Sequence, residues 1–140
     1  MIYLDANILL YPMLQQESRA AACRIVLNQV VSGAEAATSV LTWDEVVYVV
    51  RKVQGPARAV QQGRLLLQFP GLQFLPVDME ILRRAQKLTE RYNLAPRDAI
   101  HAATALASGV RDFVSEDADF DIVREFRRWP AAEFPRQQGV

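Results

Sequence analysis

Short apolar runs alternate along the chain with longer segments whose apolar residues recur at helical spacing. The runs that predict strands cover residues 1–4, 72–77 and 112–115, and residues 36–38 form a shorter candidate. Since helical segments separate successive strands, we expect the strands to lie parallel in one sheet with helices on both faces. The pattern therefore predicts an α/β domain of three layers with a central parallel sheet.

Start and stop signals along the chain mark the ends of the predicted helices. Pro12 should end a first helical turn, and Thr42 with Glu45 has the form of a capping box at the start of a later helix. Asp78 suits an N-cap, and Pro96 suits the first turn of a helix. The predicted helical segments are residues 6–11, 17–32, 42–53, 57–69, 79–92, 96–108 and 120–127.

Length and composition place all of these elements in one domain. A chain of 140 residues, 51% hydrophobic and 23% charged, can bury one core of ordinary size. We expect the domain to cover residues 1–134 and residues 135–140 to form a frayed tail. No apolar run approaches the roughly 18 residues that span a bilayer, and the strand-like start lacks a basic segment. These features predict a cytoplasmic protein without a signal peptide.

The charge balance of the chain does not indicate a nucleic-acid-binding protein. Sixteen basic residues offset sixteen acidic residues, so the net charge gives no support for non-specific attraction to RNA or DNA. The sequence also lacks a glycine-rich phosphate-binding loop, which leaves nucleotide triphosphate hydrolysis without support. Any chemistry must therefore come from the placement of individual side chains.

Four carboxylates fall where the site of an α/β domain would form, after strands or in the first turns of helices: Asp5, Glu45, Asp98 and Asp117. Each alone has a structural explanation as a helix cap or turn residue. Together they would repel by about 1 kcal/mol per close pair in water, and by more at lower effective dielectric constant. A hard cation relieves that repulsion, and oxygen ligands favour Mg²⁺ or Mn²⁺. Such an ion can activate water for attack on a phosphodiester.

Four sequence segments carry these acidic residues in a characteristic order and spacing. They are residues 3–7, 39–46, 94–105 and 115–120, and the third, Leu-Ala-Pro-Arg-Asp-Ala-Ile-His-Ala-Ala-Thr-Ala, is the most specific. In these segments the chain resembles the PIN-domain ribonucleases, particularly the VapC-like toxins, over nearly its full length. The resemblance places the second acid at Glu45, with the adjacent Asp44 as the alternative.

The resemblance implies a three-layer PIN-like fold and a role for each acidic residue. Asp5, Asp98 and Asp117 would hold Mg²⁺ or Mn²⁺ directly or through water. Glu45 would complete the acidic, catalytic pocket and help to hold the metal. Further side chains would position ligands or water, or add negative charge outside the ligands: Asn7, Ser115 and Asp119.

The same resemblance implies a divalent-metal-dependent endoribonuclease that is the toxin of a type II toxin–antitoxin pair. Its partners would be an RNA substrate, a small antitoxin protein and a second copy of the chain in a homodimer. Two alternatives stay open: a PIN-like RNA-processing nuclease that is not a toxin, and a catalytically silent RNA-binding module. A phosphoryl-transfer enzyme or receiver domain fits less well, because Asn7 stands where a second Asp would be needed and both lysines fall in predicted helices.

His101 is the one histidine of the sequence and lies one helical turn after Asp98. No serine stands at a recognisable spacing for a nucleophilic triad with it. We therefore expect His101 to be a packed or hydrogen-bonded helix residue rather than a general base. For the neighbouring Arg97, contact with substrate phosphate and pairing with an acid are equally compatible with the sequence.

Overall fold

A central sheet organises the computed structural model, which describes residues 1–14 and 17–136. Its strands within these residues are β1 (Ile2–Leu4), β2 (Ala36–Ser39), β3 (Leu72–Leu75), β4 (Asp112–Val114) and β5 (Arg127–Trp129). All neighbours pair in parallel, in the order β3-β2-β1-β4-β5. The chain passes first to one side of β1 and later to the other. The carboxyl end of β1 is therefore a topological switch point, where open α/β sheets bind their ligands.

Helices cover both faces of the sheet in the described part of the chain. They are α1 (Ala6–Leu14), α2 (Glu17–Val31), α3 (Leu41–Gln54), α4 (Pro56–Leu67), α5 (Met79–Tyr92) and α6 (Pro96–Ala107). Successive strand residues point to opposite faces. Leu4 accordingly joins a buried cluster with the first four helices, and Tyr3 joins another cluster with α5 and α6. This arrangement confirms the predicted three-layer α/β fold with a central parallel sheet.

Phe113 of β4 holds the second of these clusters together. Its ring stacks on Tyr3 at a centroid distance of 4.9 Å and on Phe126 at 4.5 Å. Full burial of a side chain such as Phe contributes about 1.5–3 kcal/mol. The packing fixes the ring of Tyr3 with its hydroxyl group against His101 of α6.

Several predicted elements are confirmed within one or two residues of their ends. The Asp78 carboxylate accepts the Ile81 N–H at 3.0 Å as the N-cap of α5. Pro96 opens α6, as its fixed φ angle favours. The short candidate strand at residues 36–38 is β2, and it pairs with both β1 and β3.

The predicted end of the first helix at Pro12 is wrong. Pro12 lies inside α1, which continues to Leu14. An interior proline costs about 3 kcal/mol in an isolated helix, but α1 is not isolated. Leu10, Tyr11 and Met13 all pack against the buried cluster beside it, and this packing offsets the lost backbone hydrogen bond.

The predicted capping box at Thr42 and Glu45 is also wrong. Helix α3 begins at Leu41, and its N-cap residue makes no side-chain hydrogen bond to the backbone. The Thr42 hydroxyl group instead lies 2.6 Å from the hydroxyl group of Thr38, while Glu45 hydrogen-bonds to His101. Side-chain partners elsewhere in the fold therefore outcompete the local backbone, and Glu45 is directed into the functional site.

The helix predicted over residues 120–127 does not form. The structure has a 3₁₀ turn at Ala118–Ile122 and then strand β5, which pairs with β4. Phe120, Val123 and Phe126 follow one another at intervals of three, a spacing that also suits a helix. All three are buried in the second cluster from an irregular segment, so their spacing reflects tertiary packing.

The boundary between domain and tail at residues 134 and 135 stays a prediction. Residues 137–140 of the predicted tail lie outside the described residues. None of the helices in the described ranges is long and apolar enough to cross a membrane.

Candidate active site

Asp5 is the central acid of the site and follows directly on β1. Its side chain is only slightly exposed, and its Oδ1 atom accepts the Ala6 N–H at 2.8 Å. Its Oδ2 atom accepts the Ser115 hydroxyl at 2.6 Å and the Asn7 amide at 3.3 Å. Burial raises the pKa of Asp5 more than the neighbouring His101 and Ser115 lower it. The carboxylate is thus held in one orientation at the switch point of the sheet.

Ser115 and Asn7 join the end of β1 to the loop that follows β4. The Asn7 amide also donates to the Ser115 oxygen at 3.3 Å, and the Asn7 carbonyl oxygen accepts the Glu116 N–H at 3.4 Å. Ser115 Oγ accepts the Asp117 N–H at 3.0 Å. The two predicted supporting residues therefore lie beside Asp5, where they fix its carboxylate and the start of the loop that carries Asp117.

Asp98, Asp117 and Asp119 form a compact acidic cluster. One carboxylate oxygen from each lies within 4.8 Å of the others. Asp98 comes from the first turn of α6, and Asp117 accepts the Asp119 N–H at 2.9 Å at the start of the 3₁₀ turn. Asp119 was expected outside the ligands, yet one of its carboxylate oxygens lies within the same 4.8 Å limit as those of Asp98 and Asp117.

The electrostatics of this cluster suit a hard divalent cation. Burial, followed by the negative charges of Asp117 and Asp5, raises the pKa of Asp98 to about 6. The carboxylates therefore disfavour one another's ionisation, and a cation bound among them would remove that penalty. The donor atoms are all carboxylate oxygens, the ligand type that Mg²⁺ and Mn²⁺ prefer. The residues present fit such an ion.

A cavity of about 310 Å³ unites the four predicted catalytic acids. Asp5, Glu45, Asp98 and Asp117 all line it, and Arg97 is the only basic side chain among the described residues that does so. Asp44, the alternative to Glu45, is exposed and does not line this cavity. We call this space the acidic cavity. The sequence-based choice of acids is thus consistent with the geometry, although their catalytic roles stay predictions.

His101 is the main component of the site that sequence-based reasoning underestimated. It is 1% exposed, and its Nε2 atom lies 2.5 Å from Glu45 Oε1 and 3.8 Å from Asp5 Oδ1. Its Nδ1 atom lies 2.7 Å from the hydroxyl group of Tyr3. It is hydrogen-bonded, as expected, but its partners include two of the predicted metal-binding acids. The interval of three residues on α6, which places His101 on the same helix face as Asp98, was the available signal.

The protonation of this buried chain of groups follows from its partners. Burial, together with the charges of Asp5 and Glu45, raises the pKa of Tyr3 well above its usual value, so its phenol stays neutral. Burial lowers the pKa of His101, but the hydrogen bond to Glu45 and the charge of Asp5 more than reverse that effect. With a proton on Nε2, His101 donates a hydrogen bond to the Glu45 carboxylate. Glu45 is thereby fixed on the wall of the acidic cavity.

Arg128 was not identified from the sequence and supports the site from β5. One guanidinium nitrogen donates to the Ser115 carbonyl oxygen at 2.9 Å. Two others donate to the Asp121 carboxylate at 2.7 and 3.2 Å. Arg128 therefore ties the 3₁₀ turn to the end of β4 on either side of Asp117. Its position on a strand that the sequence pattern did not predict explains why it was missed.

Comparison with protein families identifies the domain. The PIN domain family model matches residues 2–125. Comparison with the sequences of curated proteins gives no significant match.

Solved structures of toxin–antitoxin proteins share this fold. VapC20 from Mycobacterium tuberculosis, a sarcin–ricin loop cleaving toxin, superposes with a TM-score of 0.74 at 15% identity, over 89% of this chain and 95% of that chain. VapBC2 from Rickettsia felis, bound to a DNA fragment from its promoter, has a TM-score of 0.71 at 19% identity. The match covers 93% of this chain and 100% of that chain. A toxin–antitoxin complex from Klebsiella pneumoniae has a TM-score of 0.71 at 22% identity. The match covers 95% of this chain and 99% of that chain. At these identities the likeness shows the fold, and the family model, which covers most of the chain, shows that this protein belongs to the PIN-domain family.

Proposed function

We propose that this protein is a divalent-metal-dependent endoribonuclease and acts as the toxin of a type II toxin–antitoxin pair. The observation that carries the proposal is the acidic cluster of Asp98, Asp117 and Asp119, whose oxygens lie within 4.8 Å of one another. The cluster lies beside a cavity that Asp5 and Glu45 also line. PIN domains are nuclease domains, and a structural neighbour is described as a toxin that cleaves the sarcin–ricin loop.

The residues of the site would have different roles in phosphodiester hydrolysis. Asp98, Asp117 and Asp119 would hold Mg²⁺ or Mn²⁺. Asp5 and Glu45, which the sequence also predicts as ligands, would complete the site directly or through water. When bound, the ion provides a Lewis acid for the phosphate and lowers the pKa of a water molecule. Ser115 and the Ala6 N–H orient Asp5, His101 orients Glu45, and exposed Arg97 at the cavity wall is placed to neutralise a substrate phosphate.

The electrostatics of the acidic cavity also support an antitoxin partner. Without metal, four carboxylates face a cavity that has one basic side chain on its described wall. Such a pocket attracts an Arg or Lys side chain from an inhibitor, which would block both metal and substrate. Structural neighbours include toxin–antitoxin complexes from Rickettsia felis and Klebsiella pneumoniae. We extend the proposal to a small antitoxin that inserts a basic side chain here, and to a homodimer that joins two cavities along one RNA-binding surface.

A cleavage assay with matched variants tests the enzymatic proposal. Purified protein is incubated with total RNA in Mn²⁺, in Mg²⁺ and in excess chelator. We expect cleavage by wild type with either metal, none with chelator, and none by Asp98→Asn. Asp44→Asn is the matched control, because Asp44 is an exposed acid next to Glu45 that does not line the acidic cavity, and it should cleave like wild type. RNA binding without cleavage under all conditions would instead indicate a silent binding module.

A further inference from the structure

A second cavity adjoins the acidic cluster on the side away from Glu45. Its volume is about 400 Å³, and it shares Asp98 with the acidic cavity while Asp119 lines only the second. The acidic cluster therefore lies between two spaces. For a single strand whose scissile phosphate sits at the cluster, these two spaces are available to the neighbouring nucleotides. The chemistry of each wall therefore indicates which part of a nucleotide it would accept.

The walls of the second cavity are unlike those of a phosphate site. No lysine or arginine among the described residues lines it, whereas Arg97 lines the acidic cavity. Its lining residues include Tyr92, the mostly buried Leu94 and Ile122, which is 51% exposed although it is large and apolar. Apolar and aromatic walls without positive charge suit the face of a nucleobase and disfavour a phosphate group.

Asn93 adds an exposed side-chain amide to the lining of the second cavity. The residue lies in the left-handed region (φ 54°) as the C-cap of α5, and its backbone N–H donates to the Thr89 carbonyl oxygen at 2.8 Å. Its side-chain amide makes no hydrogen bond within the described ranges of the chain. An asparagine amide carries a donor and an acceptor side by side, the pair that recognises the edge of a base.

Contacts with neighbouring side chains hold Tyr92, the residue next to Asn93, in place. The Tyr92 hydroxyl group donates to the Glu125 carboxylate, with oxygen distances of 2.8 and 3.0 Å. The guanidinium group of Arg91 lies 4.9 Å from the centroid of the Tyr92 ring and also pairs with Glu125. An aromatic platform that is held before the ligand arrives loses little conformational freedom on binding.

From these walls we infer that the second cavity is a nucleobase subsite for the nucleotide next to the scissile phosphate. Asn93 hydrogen-bonds to the edge of the base, and Tyr92, Leu94 and Ile122 contact its faces. The inference deepens the proposed ribonuclease function and rests on it for the position of the phosphate. It predicts that this subsite, rather than the predicted catalytic acids, determines which base the enzyme prefers at one position beside the cut.

Two variants and one control test the subsite by cleavage. Asn93→Gly removes the amide and keeps the left-handed backbone, which glycine adopts freely, and Ile122→Ala removes most of an apolar wall. Val60→Ala is the control, because Val60 is a similarly exposed aliphatic residue of α4 that lines neither cavity. Wild type is incubated with a random-sequence RNA pool in Mn²⁺, and the bases around each cut are counted by sequencing.

We expect a base preference at one position beside the cut, which Asn93→Gly and Ile122→Ala each reduce at least about fivefold. Preferences at other positions should persist, and Val60→Ala should match wild type. Cleavage by wild type without a flanking preference, or a preference that both variants keep, would overturn the subsite and leave the nuclease intact.

If wild type cleaves no RNA, a binding measurement tests the nucleobase subsite instead. Labelled metal-free protein is titrated with adenosine, guanosine, cytidine and uridine, and with ribose alone, while backbone amide signals are followed by NMR. At least one nucleoside should shift signals only at residues 92–95 and 118–122, and ribose should not shift them. This result would support the subsite even if the nuclease proposal failed. The absence of such shifts, or equal shifts with ribose, would overturn it.

Discussion

The Nε2 atom of His101 lies 2.5 Å from the Oε1 atom of Glu45, although 56 residues separate them along the chain. The contact joins α6 to α3 beside the central strand, and it continues through Nδ1 of His101 to the hydroxyl group of Tyr3. Three polar side chains from three different elements thus satisfy one another where water has little access. Buried polar groups that depend on one another in this way are costly to separate.

His101→Ala should lower the free energy of unfolding by about 2–4 kcal/mol, because it leaves a cavity and removes the partner of both Tyr3 and Glu45. His101→Gln retains a donor for Glu45 and should lose less. Urea denaturation of the metal-free proteins measures both changes. An alanine variant as stable as wild type would show that the contact contributes nothing to the fold.

Divalent metal should stabilise the folded protein, because it removes the repulsion within the acidic cluster. A concentration of Mg²⁺ or Mn²⁺ ten times the Kd should raise the free energy of unfolding by roughly 1.4 kcal/mol. Thermal denaturation with metal and with chelator tests this expectation. Superimposable curves up to millimolar metal would exclude a site of useful affinity.

Asp98→Asn should stabilise the metal-free protein in a manner that depends on pH. Because burial and the charges of Asp117 and Asp5 raise the pKa of Asp98 to about 6, the folded state keeps this proton to a higher pH than the unfolded chain, for which the value is 3.8. Ionisation of Asp98 therefore destabilises the wild type progressively as the pH rises from about 4 to about 6. The variant lacks this group, so its advantage should be small at pH 4 and reach a plateau above pH 6. Denaturation in chelator across this range gives the measurement, and a difference that does not vary with pH would contradict the expectation.

Asp119→Asn should weaken metal binding about as much as Asp117→Asn. The basis is the position of the Asp119 carboxylate within 4.8 Å of the oxygens of Asp98 and Asp117. Calorimetric titration with Mn²⁺ compares the variants, and Asp44→Asn serves as the control from outside the cavity. If the Asp119 variant bound metal like wild type while the Asp117 variant did not, Asp119 would be an accessory acid, as the sequence alone suggested.

Expression of the wild type without a partner should arrest growth of a susceptible host. Asp5→Asn should be harmless, because it keeps the shape of the side chain that Ser115 and Asn7 hold but removes its charge. Co-expression of a small gene adjacent to this one should relieve the arrest. Colony counts after induction provide the measurement. Persistent toxicity of Asp5→Asn, or arrest that the neighbouring gene never relieves, would refute the toxin role but not the nuclease activity.

Sequence reasoning succeeded where a local signal and the final contacts agree. Asp78 caps α5 and Pro96 opens α6 because short-range backbone geometry determines both. Asp5 could be placed at the carboxyl end of a strand because it directly follows an apolar run.

The failures come from contacts between different elements of the fold. Thr42 and Glu45 match a capping box, yet the Thr42 side chain hydrogen-bonds to Thr38 of β2. The Glu45 side chain hydrogen-bonds to His101 of α6. The regular interval of Phe120 and Phe126 reflects their packing around Phe113 and not a helix. Patterns within one element do not report such partners. For the same reason the sequence carries no signal for Arg128, and for His101 it carries only the shared helix face with Asp98.

The position of β1 between β2 and β4 has a consequence for synthesis of the protein. Strand β1 is translated before both of its neighbours, and its second neighbour, β4, spans residues 112–114. Two members of the acidic cluster, Asp117 and Asp119, emerge later still. A nascent or truncated chain that ends before them cannot assemble the site, however much of its helical structure has formed. The acidic cluster, and with it the proposed nuclease activity, can therefore form only after residue 119 has been translated.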